Sequence, residues 1–438
     1  VSPEDQFKGD ALINYEIIKN MDIPIEFLLD ATDLNIYLEY EIPDLIVDAL
    51  LGTGMKGAVK GFVKEVIDLI NDMEVPVVAV DIPSGLSADT GSVEGAAVIA
   101  DATVTMALPK RCHFFYPAKS YVGDLYIADI SIPLEVLFDE EVKTEIIEIG
   151  DIRLPFRPPD AHKYQFGKVA VLAGSPGYTG AASLTAEAAL RMGAGLVIAG
   201  VPGSLNPIFE EKLTEVITRP LADTPQQTIG KVSLKDIHEL LDWCDVLAVG
   251  PGLGRSDEVQ QTVIDILKDF KKPAVIDADA LFALANHPDI LKNRDHLQWV
   301  LTPHAGEFLR FIPQVSKAEL AAHPIETARD FSIQFQLTLL LKGAPSLVAT
   351  PSGEVIVNDS GNPGLASGGS GDVLTGFIAG LLAQKFNTGE AAYTANFIHG
   401  FTADLIAYKE NEYTLIAGDL IKGLNKTIKV LQGEDDFE

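Results

Sequence analysis

The run Gly361-Asn-Pro-Gly-Leu-Ala-Ser-Gly-Gly-Ser-Gly-Asp372-Val-Leu-Thr-Gly376 constrains this chain more than any other stretch. Its six glycines pass directly into an apolar pattern at helical spacing: Val373, Leu374, Phe377, Ile378, Leu381 and Leu382. Glycines that feed straight into a helix leave its first N–H groups open, and with the helix dipole those groups attract negative charge. Asp372 stands just inside this anion hole, and the run holds no Lys or Arg. A carboxylate there repels phosphate rather than binding it. The pattern suits a base that takes a proton from a hydroxyl attacking a phosphoryl group, while the N–H groups hold the transferred charge. The plainer alternative is a loop whose Asp372 caps the helix.

Strand-like and helix-like runs alternate along the rest of the chain, which predicts an α/β fold with mostly parallel sheets. Asp44–Leu50 and Pro76–Ile82 read as buried strands around a helix at Phe62–Met73, followed by strands at Asp101–Leu108 and Asp124–Ile132. A mixed acidic and proline-rich stretch over 138–160 reads as a linker between a first domain, 1–137, and a second, 161–438. In the second domain Lys168–Ala173, Asp245–Val249, Pro273–Ile276 and Trp299–Leu301 are predicted strands, and Ala181–Arg191 a small-residue helix. Thr338–Thr350 and Glu354–Asn358 read as a hairpin around Pro351-Ser-Gly353. Ligands of open α/β sheets gather at the carboxyl ends of strands, so the turns there are the places to look for chemistry.

The formal charge of −30 argues against nucleic acid and anionic membranes as partners, because phosphate backbones require Lys and Arg clusters. Cys112 and Cys244 lie far apart and read as reduced, buried thiols of a cytoplasmic protein. No apolar run approaches the roughly twenty residues of a membrane helix. No signal peptide opens the chain at Val1.

Several strand ends carry candidate groups, each with an ordinary structural alternative. His304 follows a strand and could face a ligand, or be structural. Lys342 could meet a phosphate with its ammonium, or be a solvated lysine. Asp277 and Asp279 could hold Mg²⁺ through water, or cap the next helix. In the first domain Asp48 and Asp81 end, or nearly end, buried strands, where a carboxylate is costly without a cation, donors or a ligand. Ser84 and the carbonyls around Gly52–Gly54 could serve a hard monovalent cation, or be satisfied turn residues.

Taken in order, these motifs resemble a known family. Gly174-Ser-Pro-Gly-Tyr-Thr-Gly-Ala181, Gly250-Pro-Gly-Leu-Gly254, Asp277-Ala-Asp-Ala280, Leu301-Thr-Pro-His-Ala-Gly-Glu307, Leu341-Lys-Gly-Ala344 and Gly368-Gly-Ser-Gly-Asp372 follow the order of ADP- or ATP-dependent NAD(P)H-hydrate dehydratases. Val47-Asp-Ala-Leu-Leu-Gly-Thr-Gly54 and Val80-Asp-Ile-Pro-Ser-Gly-Leu86 are similar to NAD(P)H-hydrate epimerases. The whole resembles the bifunctional repair enzymes that join the two. The resemblance implies an incomplete Rossmann-like three-layer domain followed by a ribokinase-like three-layer α/β domain.

It implies further that Asp372 is the base and that Gly369, Ser370 and Gly371 stabilise the transferred charge. Ala181, Gly254, His304 and Asp372 would contact the hydrate, and Lys342, Gly343, Ala344, Pro345, Ser346 and Gly371 the adenine nucleotide. ADP is the expected phosphoryl donor, with ATP possible, and Mg²⁺ bridges its oxygens. In the first domain Gly52, Thr53, Gly54, Met55, Lys56, Gly57, Ala58 and Asp81 would contact substrate, with Asp48 and Ser84 on a potassium ion. The family's Asn-Asn-Gly-Gly-Asp-Gly stretch is absent from this sequence, so the expectation is a first domain shortened at its amino end and an impaired epimerase. The family also implies a homo-oligomer acting on NADH and NADPH hydrates. The rival readings are a ribokinase-like kinase for a vitamin precursor, and a nucleotide-binding scaffold with a dead site.

Overall fold

The computed structural model describes residues 7–21, 23–28, 30, 33, 42–55, 57–139, 141–292 and 298–435. Contacts divide the chain into two units, Val1–Glu140 and Glu141–Glu438.

In the first unit β1 (Ile46–Asp48), β2 (Val77–Val80), β3 (Ala102–Met106) and β4 (Asp124–Ala128) form a parallel sheet in that order. The helix Gly61–Asp72 buries Val66 and Ile67, and Ile67 clusters with Val77, Ala79, Val98 and Ala100. The strand expected to be buried on both faces is buried on one. Side chains alternate along a strand, so Ile46 and Asp48 turn inward while Val47 is 61% exposed.

In the second unit ten strands form one sheet among the described residues, ordered β5-β14-β13-β12-β11-β10-β9-β6-β7-β8. They are β5 (Thr144–Ile146), β6 (Lys168–Leu172), β7 (Leu196–Pro202), β8 (Ile217–Leu221), β9 (Val246–Val249), β10 (Ala274–Ile276), β11 (Trp299–Leu301), β12 (Thr338–Leu341), β13 (Ser346–Ala349) and β14 (Val355–Asn358). The central strands β9 to β12 are buried along their whole length, which is why they read as continuous apolar runs. The direction of winding reverses between β6 and β9, and such a switch point opens a crevice at the carboxyl ends.

Two sequence expectations change here. The stretch 138–160 is more than a linker, because β5 pairs in parallel with β14 at the sheet edge. The expected hairpin is a three-strand meander. Residues 342–345 break its long first arm, so β12 and β13 run antiparallel before β13 turns into β14.

The helix Ser370–Ala383 is buried along almost its entire length and packs on Thr179–Arg191. A glycine inside a helix costs about 1 kcal/mol relative to alanine, and here the cause is contact. A Cβ on Gly376 would lie 2.4 Å from the Thr185 carbonyl oxygen, and one on Gly380 would lie 2.7 Å from that of Ala189. The partner helix answers with Ala182, Ala186, Ala188 and Ala189, all fully buried. Among the described residues no helix is long and apolar enough to cross a membrane.

Candidate active site

The switch point is closed by two turns bonded to each other. Gly174 N–H donates to the Pro251 carbonyl at 2.9 Å, and Ser175 Oγ–H to the Gly252 carbonyl at 2.7 Å. Tyr178 and Ala181 pack so closely on Gly252 that only glycine fits there. Ala181 and Gly254, both expected on the hydrate side, are thereby drawn into one corner.

The carboxyl end of β10 supplies the next two groups. Asp277 precedes the helix Ala278–Ala285 without capping it through its side chain. Its Oδ1 meets Lys342 Nζ at 2.9 Å, and its Oδ2 accepts from Thr375 Oγ1 at 2.9 Å. Asp279 accepts from Gly254 N–H at 2.9 Å and from Arg255 Nε at 2.7 Å. Neither aspartate caps the helix through its side chain, and each carboxylate holds a different partner.

Lys342 follows β12, and its N–H donates to the Pro303 carbonyl at 2.9 Å, which sets it in register beside His304. His304 Nδ1 accepts from Gly306 and Glu307 N–H at 3.0 and 3.3 Å, so that nitrogen caps Ala305–Phe311. The side chain is 61% exposed beyond it. Of the expected nucleotide contacts, Ser346 points its hydroxyl inward to Asn396 on the helix Thr388–Lys409, 3.3 Å from Oδ1.

The glycine-rich run wraps over this crevice. Asp404 anchors its start, accepting from Gly361 N–H at 2.7 Å and Asn362 Nδ2 at 2.9 Å. Gly369 takes φ +96° as the residue before the helix, a conformation that favours glycine. Ser370 N–H points at the Ser367 carbonyl at 3.4 Å, whereas Gly371 N–H meets no protein acceptor among the described residues. A Cβ on Gly371 would stand 3.4 Å from Lys342 Nζ and 3.9 Å from Asp277 Oδ2, so the N–H donor, the ammonium and the carboxylates share one small space.

Asp372 lies in that space, and no hydrogen-bond donor among the described residues meets its carboxylate. Burial, then the negative charges of Asp277 and Asp279, push its pKa to about 7 against the pull of Lys342. A base that is half ionised near neutrality is well matched to proton transfer. A cavity of about 920 Å³ lies elsewhere, against residues such as Asp245, Pro273 and Gln298 at the amino ends of the strands. The charge cluster, not volume, identifies the site.

In the first unit the structure brings Asp48 and Ser84 together. Both are buried; Asp48 accepts from Ser84 N–H and Oγ–H, each at 2.7 Å, and from Leu50 N–H at 3.2 Å. Asp81 has φ +69°, a strained conformation for a residue with a side chain. It is gripped by Lys110, which also bonds Thr105 Oγ1 and the Met106 carbonyl, each at 3.0 Å. Burial raises the Asp81 pKa, but Lys110, Met106 N–H and Thr105 outweigh it and hold the carboxyl below its ordinary range. His113, buried, closes the cluster with Nε2 on the Asp81 carbonyl at 3.0 Å. Gly52, Thr53, Gly54, Met55, Gly57 and Ala58 lie in the turns after β1, and Lys56 lies outside the described residues.

The mostly parallel sheet with its switch point, and a half-buried aspartate at a glycine-rich helix start beside a lysine, are those of a ribokinase-like α/β enzyme. Comparison with known proteins sharpens this. A family model described as NAD(P)H-hydrate dehydratase matches residues 169–426, and one described as YjeF-related protein N-terminus matches 1–112. The bifunctional NAD(P)H-hydrate repair enzyme Nnr of Moorella thermoacetica is 41% identical over 437 residues, covering 99% of this chain and 82% of that protein. Its namesake from Thermofilum pendens is 36% identical, covering 100% and 82%. The crystal structure of an ADP/ATP-dependent NAD(P)H-hydrate dehydratase from Bacillus subtilis, co-crystallized with ATP/Mg²⁺, matches with TM-score 0.53 and 31% identity over 64% of this chain and 94% of that one. A ribokinase-like superfamily protein from Enterococcus faecalis, 24% identical with TM-score 0.56 over 66% and 97%, shares the fold. The chain belongs to the family of bifunctional NAD(P)H-hydrate repair enzymes.

Sequence reading missed Thr375, Lys110, His113 and His399. Thr375 and His399 are isolated polar residues in apolar helices, and Lys110 and His113 stand in the turn-like run Lys110-Arg-Cys-His113. The only local signal was that each polar group falls where burial would demand a partner.

Proposed function

We propose that the second unit dehydrates the S form of NADH and NADPH hydrates with ADP as phosphoryl donor, and that the first unit interconverts the R and S forms. The observation that carries the first part is Asp372, half-buried, without a hydrogen-bond donor among the described residues, and raised toward neutrality beside the open Gly371 N–H. Hydroxide is a poor leaving group from ring carbon 6. Asp372 takes the proton of that hydroxyl, and its oxygen bonds to the terminal phosphorus of ADP as AMP departs with the electron pair of the broken P–O bond. Gly371 N–H and the Lys342 ammonium face the charge that spreads over the transferred group. Phosphate then leaves the ring with the C–O electron pair as the ring nitrogen donates its own. Loss of a proton from the neighbouring carbon restores the double bond.

No cluster of three or more His, Cys, Asp or Glu side chains suited to a metal exists among the described residues. Asp277 already meets Lys342 and Thr375. Asp277 and Asp279 would hold Mg²⁺ only in company with the donor's phosphates, and the ion would supply charge neutralisation there. In the first unit Asp48 and Ser84 offer hard oxygens suited to potassium, which supplies positive charge for an anionic substrate. The ATP and Mg²⁺ of the Bacillus subtilis structure support this donor chemistry. The two buried thiols, with pKa values pushed by burial to about 12 for Cys112 and about 11 for Cys244, fit a cytoplasmic protein. A homo-oligomer is the expected assembly.

Recovery of NADH absorbance from purified S hydrate with ADP tests the reading. Asp372→Asn loses at least about a thousandfold in rate while ADP binding persists. Full activity in that variant would overturn the assignment of the base.

A further inference from the structure

We propose that His399 is a positioning residue for phosphoryl transfer: from behind the glycine-rich run it grips the Ser370 carbonyl and so aims the Gly371 N–H into the anion hole. The inference rests on the reading of Asp372 and its anion hole given above.

His399 lies in the middle of the helix Thr388–Lys409 and is 6% exposed. Its Nε2 stands 3.0 Å from the Ser370 carbonyl oxygen and 3.2 Å from Ser370 Oγ. A carbonyl can only accept, so Nε2 carries the hydrogen and donates it. The ring is set edge-on to Phe377 at 6.2 Å and 77°, which fixes its plane. Burial pushes its pKa down to about 4, so the donor is a neutral imidazole at any working pH.

The Ser370 carbonyl and the Gly371 N–H belong to one planar trans peptide, and they point in opposite directions. A donor that holds the carbonyl from the interior therefore holds the N–H toward the crevice. Donation to the oxygen also polarises that peptide and strengthens its N–H as a donor. Gly369, in a left-handed conformation just before, gives the backbone freedom that this contact removes. The same helix anchors the far end of the run through Asp404, so its two contacts bracket the run. A histidine that only filled the core would not need a peptide of the anion hole as its partner.

Glutamine and methionine are of similar length and volume, but only glutamine keeps a terminal N–H donor. His399→Gln and His399→Met therefore differ in the proposed contact and little in packing. With S hydrate as substrate, His399→Met is expected to lose about 10–100-fold in kcat, below the full cost of deleting an oxyanion donor. Its KM for ADP stays within about threefold, because a contact felt only in the transition state moves kcat rather than binding. His399→Gln retains kcat within about fivefold of the parent. Thermal unfolding of both variants confirms equal folding. Undiminished kcat in His399→Met, equal losses in both variants, or a loss confined to KM would overturn the proposal. Asp372→Asn in the same assay separates the two readings. If that variant is active, the site assignment fails; if it is inactive while His399→Met is not impaired, only the role of His399 fails.

Discussion

The Lys342 ammonium and the Asp277 carboxylate meet at 2.9 Å, and the carboxylate is only 2% exposed. A buried anion needs a partner, and a donor phosphate competes with Asp277 for this lysine. On the proposed mechanism, an ammonium drawn to phosphate would leave the negative charge of Asp277 less compensated beside Asp372, and so would strengthen the base as the donor arrives.

Asp277→Asn removes one of the charges that raise the Asp372 pKa, so Asp372 ionises at lower pH. In the parent, kcat/KM for S hydrate is expected to rise with pH through about 7, because the carboxylate is the active form. In Asp277→Asn that limb moves to lower pH by about half to one unit. A profile unchanged from the parent would refute the coupling between the two carboxylates.

Asp372 also costs the fold stability. Its folded pKa of about 7 lies above the ordinary 3.8, so the native state holds its proton more tightly than the unfolded chain does. The native state is therefore penalised progressively as pH rises from about 4 to about 7, and fully above that range. Asp372→Asn is expected to raise the unfolding temperature at pH 8 by a few degrees, on the order of 1–3 kcal/mol. At pH 4 the gain vanishes. Calorimetry at the two pH values decides it, and an equal shift at both would show another cause.

Gly376→Ala inserts a methyl where the Thr185 carbonyl oxygen stands 2.4 Å away. The helices must part, at a cost of about 1–3 kcal/mol or more. Denaturant unfolding reads it. A variant as stable as the parent would show that the seam yields freely.

Lys110→Met frees Asp81 from the ammonium that holds its pKa down, leaving the upward push of burial. Repair of purified R hydrate with excess ADP is expected to slow about tenfold or more, while repair of S hydrate is unchanged. Equal effects on both hydrates would detach this cluster from epimerisation. An R hydrate repaired by the parent no faster than it epimerises spontaneously would remove that activity from the first unit.

Asp372 was legible in the sequence because its setting is local: glycines, a helix start and one carboxylate within a single run. Lys342, Gly254 and Ala181 were expected from equally local patterns, the first two in turns after strands and Ala181 at the start of a helix behind a glycine-rich turn. The Lys342–Asp277 contact was not, because it joins residues 65 apart through the order of strands in the sheet, and periodicity does not report that order. The direction of the Ser346 hydroxyl was not legible either. Its place in the motif put it on the nucleotide, yet the Asn396 side chain, from a helix fifty residues on, turns its hydroxyl inward. Strand β5 was hidden because three residues at a sheet edge leave too short a pattern to read.

Asp277 and Asp279 are separated by one alanine, so their Cα atoms lie at most about 7 Å apart. One reaches Lys342, assigned in the proposal to the donor, and the other carries the Gly254 backbone, assigned to the hydrate. The two halves of the reaction thus share a single mooring. On that assignment a shift of this strand end would carry donor and acceptor together, and the gap the phosphoryl group must cross would keep its length.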